Sequence, residues 1–68
     1  QNRTHIKISK RLCEARKALG LSQSEVADKL GRNQYFVSRC ETGKRRLDIC
    51  ELEEFAKLYN KPISFFFE

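Results

Sequence analysis

The hydrophobic and polar positions of this 68-residue chain follow one another with a period close to that of the α-helix. Ile8, Leu12, Ala15 and Leu19 recur every three or four residues, which puts them on one face of a helix. Gly20 comes directly after this stripe, and a glycine in that position is typical of a helix end. The pattern therefore predicts a first helix from about Ile8 to Gly20, preceded by a flexible arm over residues 1–5.

A second helix is predicted by its capping residues as well as by its stripe. Ser22 is followed three residues later by Glu25, a capping box in which the hydroxyl and the carboxylate satisfy first-turn amides. Gly31 suits the left-handed conformation that often ends a helix. Between them lies an apolar stripe of Val26, Ala27 and Leu30.

A third helix is predicted after Asn33, a residue that caps helices well. Val37 and Cys40 are three residues apart and share one face, which we expect to pack. The other positions point away from that face and remain available to a partner: Gln34, Tyr35, Ser38 and Arg39.

The last third of the chain predicts two further helices. Asp48 and Glu51 form a second capping box. The predicted buried side of this fourth helix is Ile49, Leu52, Phe55, Ala56 and Tyr59, and its outer side is Glu53, Glu54 and Lys57. Pro62 breaks the pattern and suits the first position of a short fifth helix. A strand is the alternative for the aromatic segment 63–67, whose phenylalanines either close the core or form a self-complementary patch.

Charge divides the chain into a cationic and an acidic part. Through Leu47 there are 12 basic and 4 acidic residues, and from Asp48 onward there are 2 and 5. A basic surface is either a solvated face or the footprint of a protein that binds the phosphate backbone of nucleic acid. Beside the two short helices around Gly31 we favour the second interpretation.

Enzymatic chemistry has little support in this sequence. One domain of this length leaves no room for a catalytic domain, and there is no nucleophile with a base at a recognisable spacing and no glycine-rich phosphate loop. His5 has no metal-ligand spacing to other residues, so we expect neither a metal ion nor a cofactor. The chain begins with Gln1 rather than Met, which is compatible with a longer native chain.

The cysteines indicate a reducing compartment. Cys13, Cys40 and Cys50 cannot all pair within one chain and match no zinc pattern. We interpret Cys40 as a small apolar residue of the packing face and the other two as outward thiols. No apolar run is long enough to span a bilayer, and we expect a cytoplasmic protein with no membrane partner.

The stretch from Ser22 to Lys44 resembles the helix-turn-helix of the Cro/C1-type repressors, the xenobiotic-response-element family. The matching positions are Gln23, Ala27, Gly31, Val37 and the exit 41–44, Glu-Thr-Gly-Lys. Flanking positions extend the resemblance to roughly residues 8–67: Leu12, Ala15, Arg16, Gly20, Leu21, Ile49, Leu52 and Ala56. It implies an all-α, compact five-helix bundle like that of lambda repressor, forming a single DNA-binding domain over residues 1–68.

The resemblance also implies which residues meet DNA. The third helix would lie in the major groove of double-stranded DNA. Gln34 is expected to read adenine, Tyr35 a thymine methyl group or a phosphate, and Arg39 guanine or phosphate; Ser38 completes the base-reading set. The phosphate-contacting set is Gln23, Asn33, Lys44, Arg45, Arg46 and Arg32. Phe36 either contacts methyl groups or packs against the neighbouring loop.

Two further expectations follow from the family. Arg16 and Glu41 are expected to form a structural ion pair that ties the first helix to the end of the third. The function implied is that of a bacterial or phage transcriptional regulator, a repressor acting as a homodimer on a palindromic operator. The alternative is a protein-interaction, adaptor or antitoxin module with the same fold and a protein partner.

Overall fold

The helices of the chain follow the predicted order. The computed structural model describes residues 3–68, and within that range it consists of α1 (Arg3–Ala18), α2 (Gln23–Leu30), α3 (Gln34–Thr42), α4 (Ile49–Tyr59) and a 3₁₀ helix (Ile63–Phe67). The predicted all-α class is confirmed, and the described residues contain no strand. The predicted fifth helix is corrected to a 3₁₀ helix. Pro62 precedes it without a side-chain cap, and a segment of five residues is too short for a stable run of α-helical hydrogen bonds, whereas 3₁₀ helices occur in short pieces.

The predicted caps of α2 and α3 are confirmed. The Ser22 hydroxyl accepts the amide of Glu25 at 3.0 Å, and the Glu25 carboxylate accepts the amide of Ser22 at 2.7 Å. The hydrogen bond from the Ser22 backbone is the main reason that the pKa of Glu25 is lowered. Gly31 ends α2 at φ 69°, and the Asn33 side chain accepts the amide of Phe36 at 2.9 Å. These caps define a short turn between two helices.

The fourth helix is bounded as its sequence indicates. Asp48 and Glu51 form the predicted capping box. At the other end Asn60 adopts a left-handed conformation at φ 57°, which asparagine tolerates better than most residues. The chain therefore turns sharply there and leads into the 3₁₀ helix.

One core holds the helices together. It contains apolar side chains from all five helical segments: Leu12, Ala15, Val26, Ala27, Val37, Cys40, Leu52, Phe55, Ala56, Tyr59 and Phe66. Of the aromatic tail, Phe66 is fully buried, Phe65 is half-buried against it, and Phe67 is exposed. Closing the core is thus the role of Phe66.

Two predicted core residues are exposed. Leu19 is 54% exposed because α1 ends at Ala18 and the turn into Gly20 redirects the chain. Ile49 is 62% exposed because it is the first residue of α4, at the end of the helix rather than along its packed face. Ser9 takes a buried place on α1 instead, where its hydroxyl donates to the carbonyl of His5 at 3.1 Å. The stripe was therefore wrong at Leu19 and Ile49, whereas Tyr59 at the other end of α4 is buried as predicted.

The flexible arm expected over residues 1–5 is corrected for its second half. Arg3, Thr4 and His5 are part of α1, and Gln1 and Asn2 lie outside the described residues. His5 Nε2 lies 2.7 Å from the carbonyl oxygen of Gly43, at the end of α3. This contact fixes the first turn of α1 against another element. No helix among residues 3–68 combines the length and the apolar character that crossing a bilayer requires.

Candidate nucleic-acid interface

The amino-terminal end of α3 presents polar side chains to solvent. Gln34 and Tyr35 are both exposed, and Tyr35 is 68% exposed although it is a large aromatic residue. Val37 and Cys40 on the opposite side of α3 are fully buried. The helix is therefore anchored by one face and leaves the other open over its first turns, as its sequence predicts.

A chain of hydrogen bonds connects α2 and α3 through their side-chain amides. The Ser24 hydroxyl donates to Gln34 Oε1 at 3.0 Å, and Gln34 Nε2 donates to Gln23 Oε1 at 3.4 Å. Gln23 Nε2 in turn donates to Glu41 Oε1 at 3.1 Å. The side chain of Gln34 is thus held in place although it is exposed, because two residues of α2 form hydrogen bonds with its amide.

The chain of hydrogen bonds ends at an ion pair. Arg16 Nε lies 2.7 Å from Glu41 Oε2, and Arg16 Nη2 lies 3.1 Å from Glu41 Oε1. The side chains of Arg16 and Glu41 are only 12% and 3% exposed. Arg16 Nη1 also donates to the carbonyl of Leu21 at 2.8 Å, and the hydrogen bond to Glu41 raises the pKa of the guanidinium. The pair joins α1, α3 and the loop before α2.

Arg39 is fixed on the exposed side of α3. Its guanidinium lies 5.4 Å from the centre of the Tyr35 ring and donates to the Tyr35 hydroxyl at 3.2 Å. A second donor reaches the carbonyl of Lys44 at 3.3 Å. Stacking and hydrogen bonding together reduce the number of conformations that Arg39 has to give up on binding a partner.

Phe36 lies at the centre of a cluster that the sequence did not reveal. The guanidinium groups of Arg32 and Arg45 lie 4.4 and 5.1 Å from the centre of its ring. Phe36 also stacks on Phe55 of α4 at 6.1 Å. Glu51 forms ion pairs with both arginines. Phe36 therefore packs against the neighbouring loop and α4, which is one of its two predicted roles.

The charges of this cluster are largely matched within the protein. The Glu51 side chain is only 10% exposed, and its hydrogen bond raises the pKa of Arg45. Arg32 lies 3.7 Å from Glu51 and 3.9 Å from Glu54. Two of the six predicted phosphate-contacting residues, Arg32 and Arg45, are thus already in ion pairs.

The remaining predicted site residues occupy different positions around α3. Asn33 uses its side-chain oxygen for the cap, and Ser38 is half-buried. Lys44 and Arg46 are exposed in the loop between α3 and α4. Direct hydrogen bonds bring the site residues together in two groups: Gln34, Gln23, Glu41 and Arg16 form one, and Tyr35, Arg39 and Lys44 form the other.

Sequence reasoning missed Ser24 and Glu51. Glu51 was accounted for as a capping residue, and Ser24 was not singled out. Their contacts join residues 10 and 6 positions apart, from Ser24 to Gln34 and from Arg45 to Glu51, so no helical periodicity signals them.

The three cysteines differ in their exposure. Cys40 is fully buried, and burial raises the pKa of its thiol to about 11. Cys50 is exposed, whereas Cys13 is half-buried beside Arg16. Across the described part of the chain, no three His, Cys, Asp or Glu side chains are grouped as metal ligands.

The arrangement of α2 and α3 defines a structural class. Two short helices joined by a glycine turn, with the second helix exposed at its amino-terminal end, constitute a helix-turn-helix. The sequence family described as "Helix-turn-helix domain" matches residues 8–62. The chain belongs to the helix-turn-helix domain family.

Two curated relatives are similar along almost the whole chain. An uncharacterized HTH-type transcriptional regulator of Sinorhizobium medicae (strain WSM419) is 31% identical over 67 residues, and one of Rhizobium meliloti (strain 1021) has the same identity over the same length. The match covers 98% of this chain and 48% of each relative. The chain thus spans about half the length of the curated relatives it matches.

Proposed function

We propose that this chain binds double-stranded DNA in a sequence-specific manner, as the DNA-binding module of a transcriptional regulator of the Cro/C1 type. The observation that carries the proposal is the amide of Gln34, which is exposed at the start of α3 and held by Gln23 and Ser24. An exposed glutamine normally samples many conformations. A glutamine fixed at the first turn of the second helix is suited to reading one base.

Gln34 has the hydrogen-bonding capacity that adenine requires. A side-chain amide has two N–H donors and two acceptor lone pairs. Gln23 and Ser24 use one of each, so one donor and one acceptor remain. Adenine presents an acceptor and a donor side by side in the major groove, and we assign its recognition to Gln34.

Tyr35, Arg39 and Ser38 complete the proposed base-reading face. Tyr35 offers its ring to a thymine methyl group, and the stacked guanidinium of Arg39 offers paired donors to guanine or to a phosphate. Ser38 lies one turn after Gln34 and is half-buried, as Arg39 is, whereas Tyr35 is exposed.

Backbone contacts are proposed for residues on both sides of α3. Gln23, Asn33, Lys44 and Arg46 have amide or cationic groups near the helix ends, where DNA phosphates pass a helix-turn-helix. Arg32 and Arg45 are assigned the same role, with Glu51 as a competitor for their charge. A phosphate that approaches either arginine has to replace part of this ion pairing.

The regulator itself is proposed to act as a homodimer on a palindromic operator, as a repressor in the cytoplasm of a bacterium or in a phage-infected cell. One module reads only a few base pairs, so two copies on a two-fold-symmetric site are the usual route to useful specificity. The names of the two relatives support a role in transcription.

Selection of bound sequences from a random double-stranded DNA pool tests the proposal. The chain and its Gln34→Ala variant are compared at two salt concentrations. We expect an inverted repeat to be enriched by the chain and one base preference in each half-site to be lost by the variant. Salt-sensitive binding without any sequence preference would contradict the proposal and favour a protein-interaction or antitoxin module instead.

A further inference from the structure

We propose that the Arg16–Glu41 ion pair decides which way the amide of Gln34 presents its donor and its acceptor, and thereby determines the base preference of α3. Arg16 and Glu41 are then positioning residues for base readout. This inference rests on the proposed function and names the residues that set the specificity of the same site.

The Glu41 carboxylate, paired with the guanidinium of Arg16, can only accept hydrogen bonds, because a carboxylate has no donor. Arg16 donates to both of its oxygens, at 2.7 and 3.1 Å. With 3% of the Glu41 side chain exposed, the carboxylate takes its hydrogen bonds from protein groups.

Gln23 must turn its NH₂ group toward Glu41. Gln23 Nε2 lies 3.1 Å from Glu41 Oε1. The opposite orientation of this amide would set a carbonyl oxygen against a buried carboxylate oxygen, so that two acceptors would face each other without a proton. Such an arrangement is unfavourable where water cannot intervene.

Gln23 in turn fixes the orientation of the Gln34 amide. Because the NH₂ group of Gln23 faces Glu41, its oxygen faces Gln34 and can only accept. Gln34 therefore directs Nε2 toward Gln23, at 3.4 Å, and Oε1 toward Ser24, at 3.0 Å. The Ser24 hydroxyl can donate or accept by rotation, so Ser24 follows the direction of the relay and does not select it.

The order of donor and acceptor is what distinguishes one base pair from another. Adenine requires an acceptor opposite N6 and a donor opposite N7. A Gln34 amide rotated by half a turn would offer these groups in the reverse order and lose the bidentate match. A buried ion pair thus reaches the base-reading residue through a single intervening amide.

The test is the Glu41→Gln variant, because a glutamine at this position can donate as well as accept. Both directions of the relay then become possible. We expect the variant to fold, to bind duplex DNA, and to show at the Gln34-dependent position a preference that is lower by about threefold or more, since a bidentate contact is worth roughly five- to hundredfold discrimination. Preferences at the other positions stay unchanged. Selection from a random duplex pool measures all of these ratios.

Glu14→Gln is the matched control. It removes the same charge from the exposed Arg11–Glu14 pair on α1, which has no link to the relay. We expect its base preferences to equal those of the unmodified chain. A Glu41→Gln variant that folds and keeps the full preference at the Gln34-dependent position would overturn the inference.

If Glu41→Gln does not fold, NMR spectroscopy of the unmodified chain provides a second test. In a nuclear Overhauser spectrum we expect the side-chain amide protons of Gln23 to show cross-peaks to the guanidinium protons of Arg16. Amide protons of Gln23 that contact only Gln34 would mean that the relay runs the other way, and would overturn the inference. If the unmodified chain enriches no sequence from the random duplex pool, that result contradicts the proposed function itself and is distinct from a failure of this inference.

Discussion

At the scale of single residues, Arg16 shows how a charged side chain can belong to a core. It lies next to the apolar stripe of α1 rather than opposite it, and it directs donors to Glu41 and to the carbonyl of Leu21. Burying two charges costs desolvation free energy, which close pairing and further hydrogen bonds offset. The pair is therefore sensitive to the loss of either partner alone.

Removing one partner of this ion pair should be costlier than removing both. We expect Arg16→Met or Glu41→Leu alone to lower the free energy of unfolding by about 3–5 kcal/mol, because each leaves an uncompensated buried charge. The double variant should recover much of that loss, since two apolar side chains occupy the site. Urea denaturation of the four proteins measures the effect, and single variants with the midpoint of the unmodified chain would contradict it.

The buried thiol of Cys40 should make the protein less stable at alkaline pH. Burial raises its pKa from 9.0 to about 11, so the unfolded chain ionises first. The stabilisation is complete below pH 9.0 and is lost as the pH rises toward about 11. Burial also raises the pKa of Tyr59, which extends the loss to higher pH.

Urea denaturation between pH 8 and pH 10 tests this role of Cys40. We expect Cys40→Ala to reduce the pH dependence of the unfolding free energy in this window, although it lowers stability at every pH by leaving a small cavity. Cys50→Ala, which alters an exposed thiol, should keep the full dependence. Equal slopes in the unmodified chain and in Cys40→Ala would count against the assignment.

At the scale of elements, the turn between α2 and α3 depends on the backbone of Gly31. Its φ is +69°, and a Cβ atom added there would meet nothing within 4 Å. A substitution therefore introduces backbone strain without a steric clash. We expect Gly31→Ala to destabilise the fold by about 1–2 kcal/mol, and Gly31→Asn by less, as measured by thermal unfolding.

Gly20 provides a matched control for this prediction. It has the same φ and the same empty surroundings, but it lies between α1 and α2, outside the glycine turn. Gly20→Ala should cost a similar free energy. If Gly31→Ala were much more destabilising than Gly20→Ala, the turn would depend on more than its backbone angle.

The elements were predictable where local chemistry determines them. Capping residues and glycine turns act over three or four positions, so Ser22, Asn33 and Asp48 marked their helix starts correctly. The exposure of Leu19 and Ile49 was not predictable from the stripe, because Leu19 lies just beyond the end of α1 and Ile49 is the first residue of α4, and a periodic pattern does not show where the packed part of a helix stops. The site was predictable only as a set of residues around α3. The bridging contacts of Ser24 and Glu51 depend on how helices pack, which periodicity does not encode.

At the scale of the whole molecule, the division of charge along the sequence is not a division in space. The acidic part that begins at Asp48 reaches the cationic part through Glu51, which pairs with Arg32 and Arg45. One carboxylate of α4 thus lowers the positive charge available beside α3. Its partners are two of the residues to which we assign phosphate contacts, so Glu51 should weaken DNA binding by competition.

Glu51→Gln should therefore strengthen binding to duplex DNA of any sequence. The glutamine can still accept a hydrogen bond from the amide of Asp48, which Glu51 accepts at 3.1 Å, but it no longer neutralises the arginines. We expect tighter binding at low salt and a slope of log affinity against log salt that is steeper by about one, because roughly one more phosphate is neutralised. Glu53→Gln changes the net charge equally on the exposed side of α4 and should leave the slope unchanged. Fluorescence anisotropy titrations at several salt concentrations measure both variants. A Glu51→Gln slope identical to that of the unmodified chain would mean that Arg32 and Arg45 do not contact the phosphates.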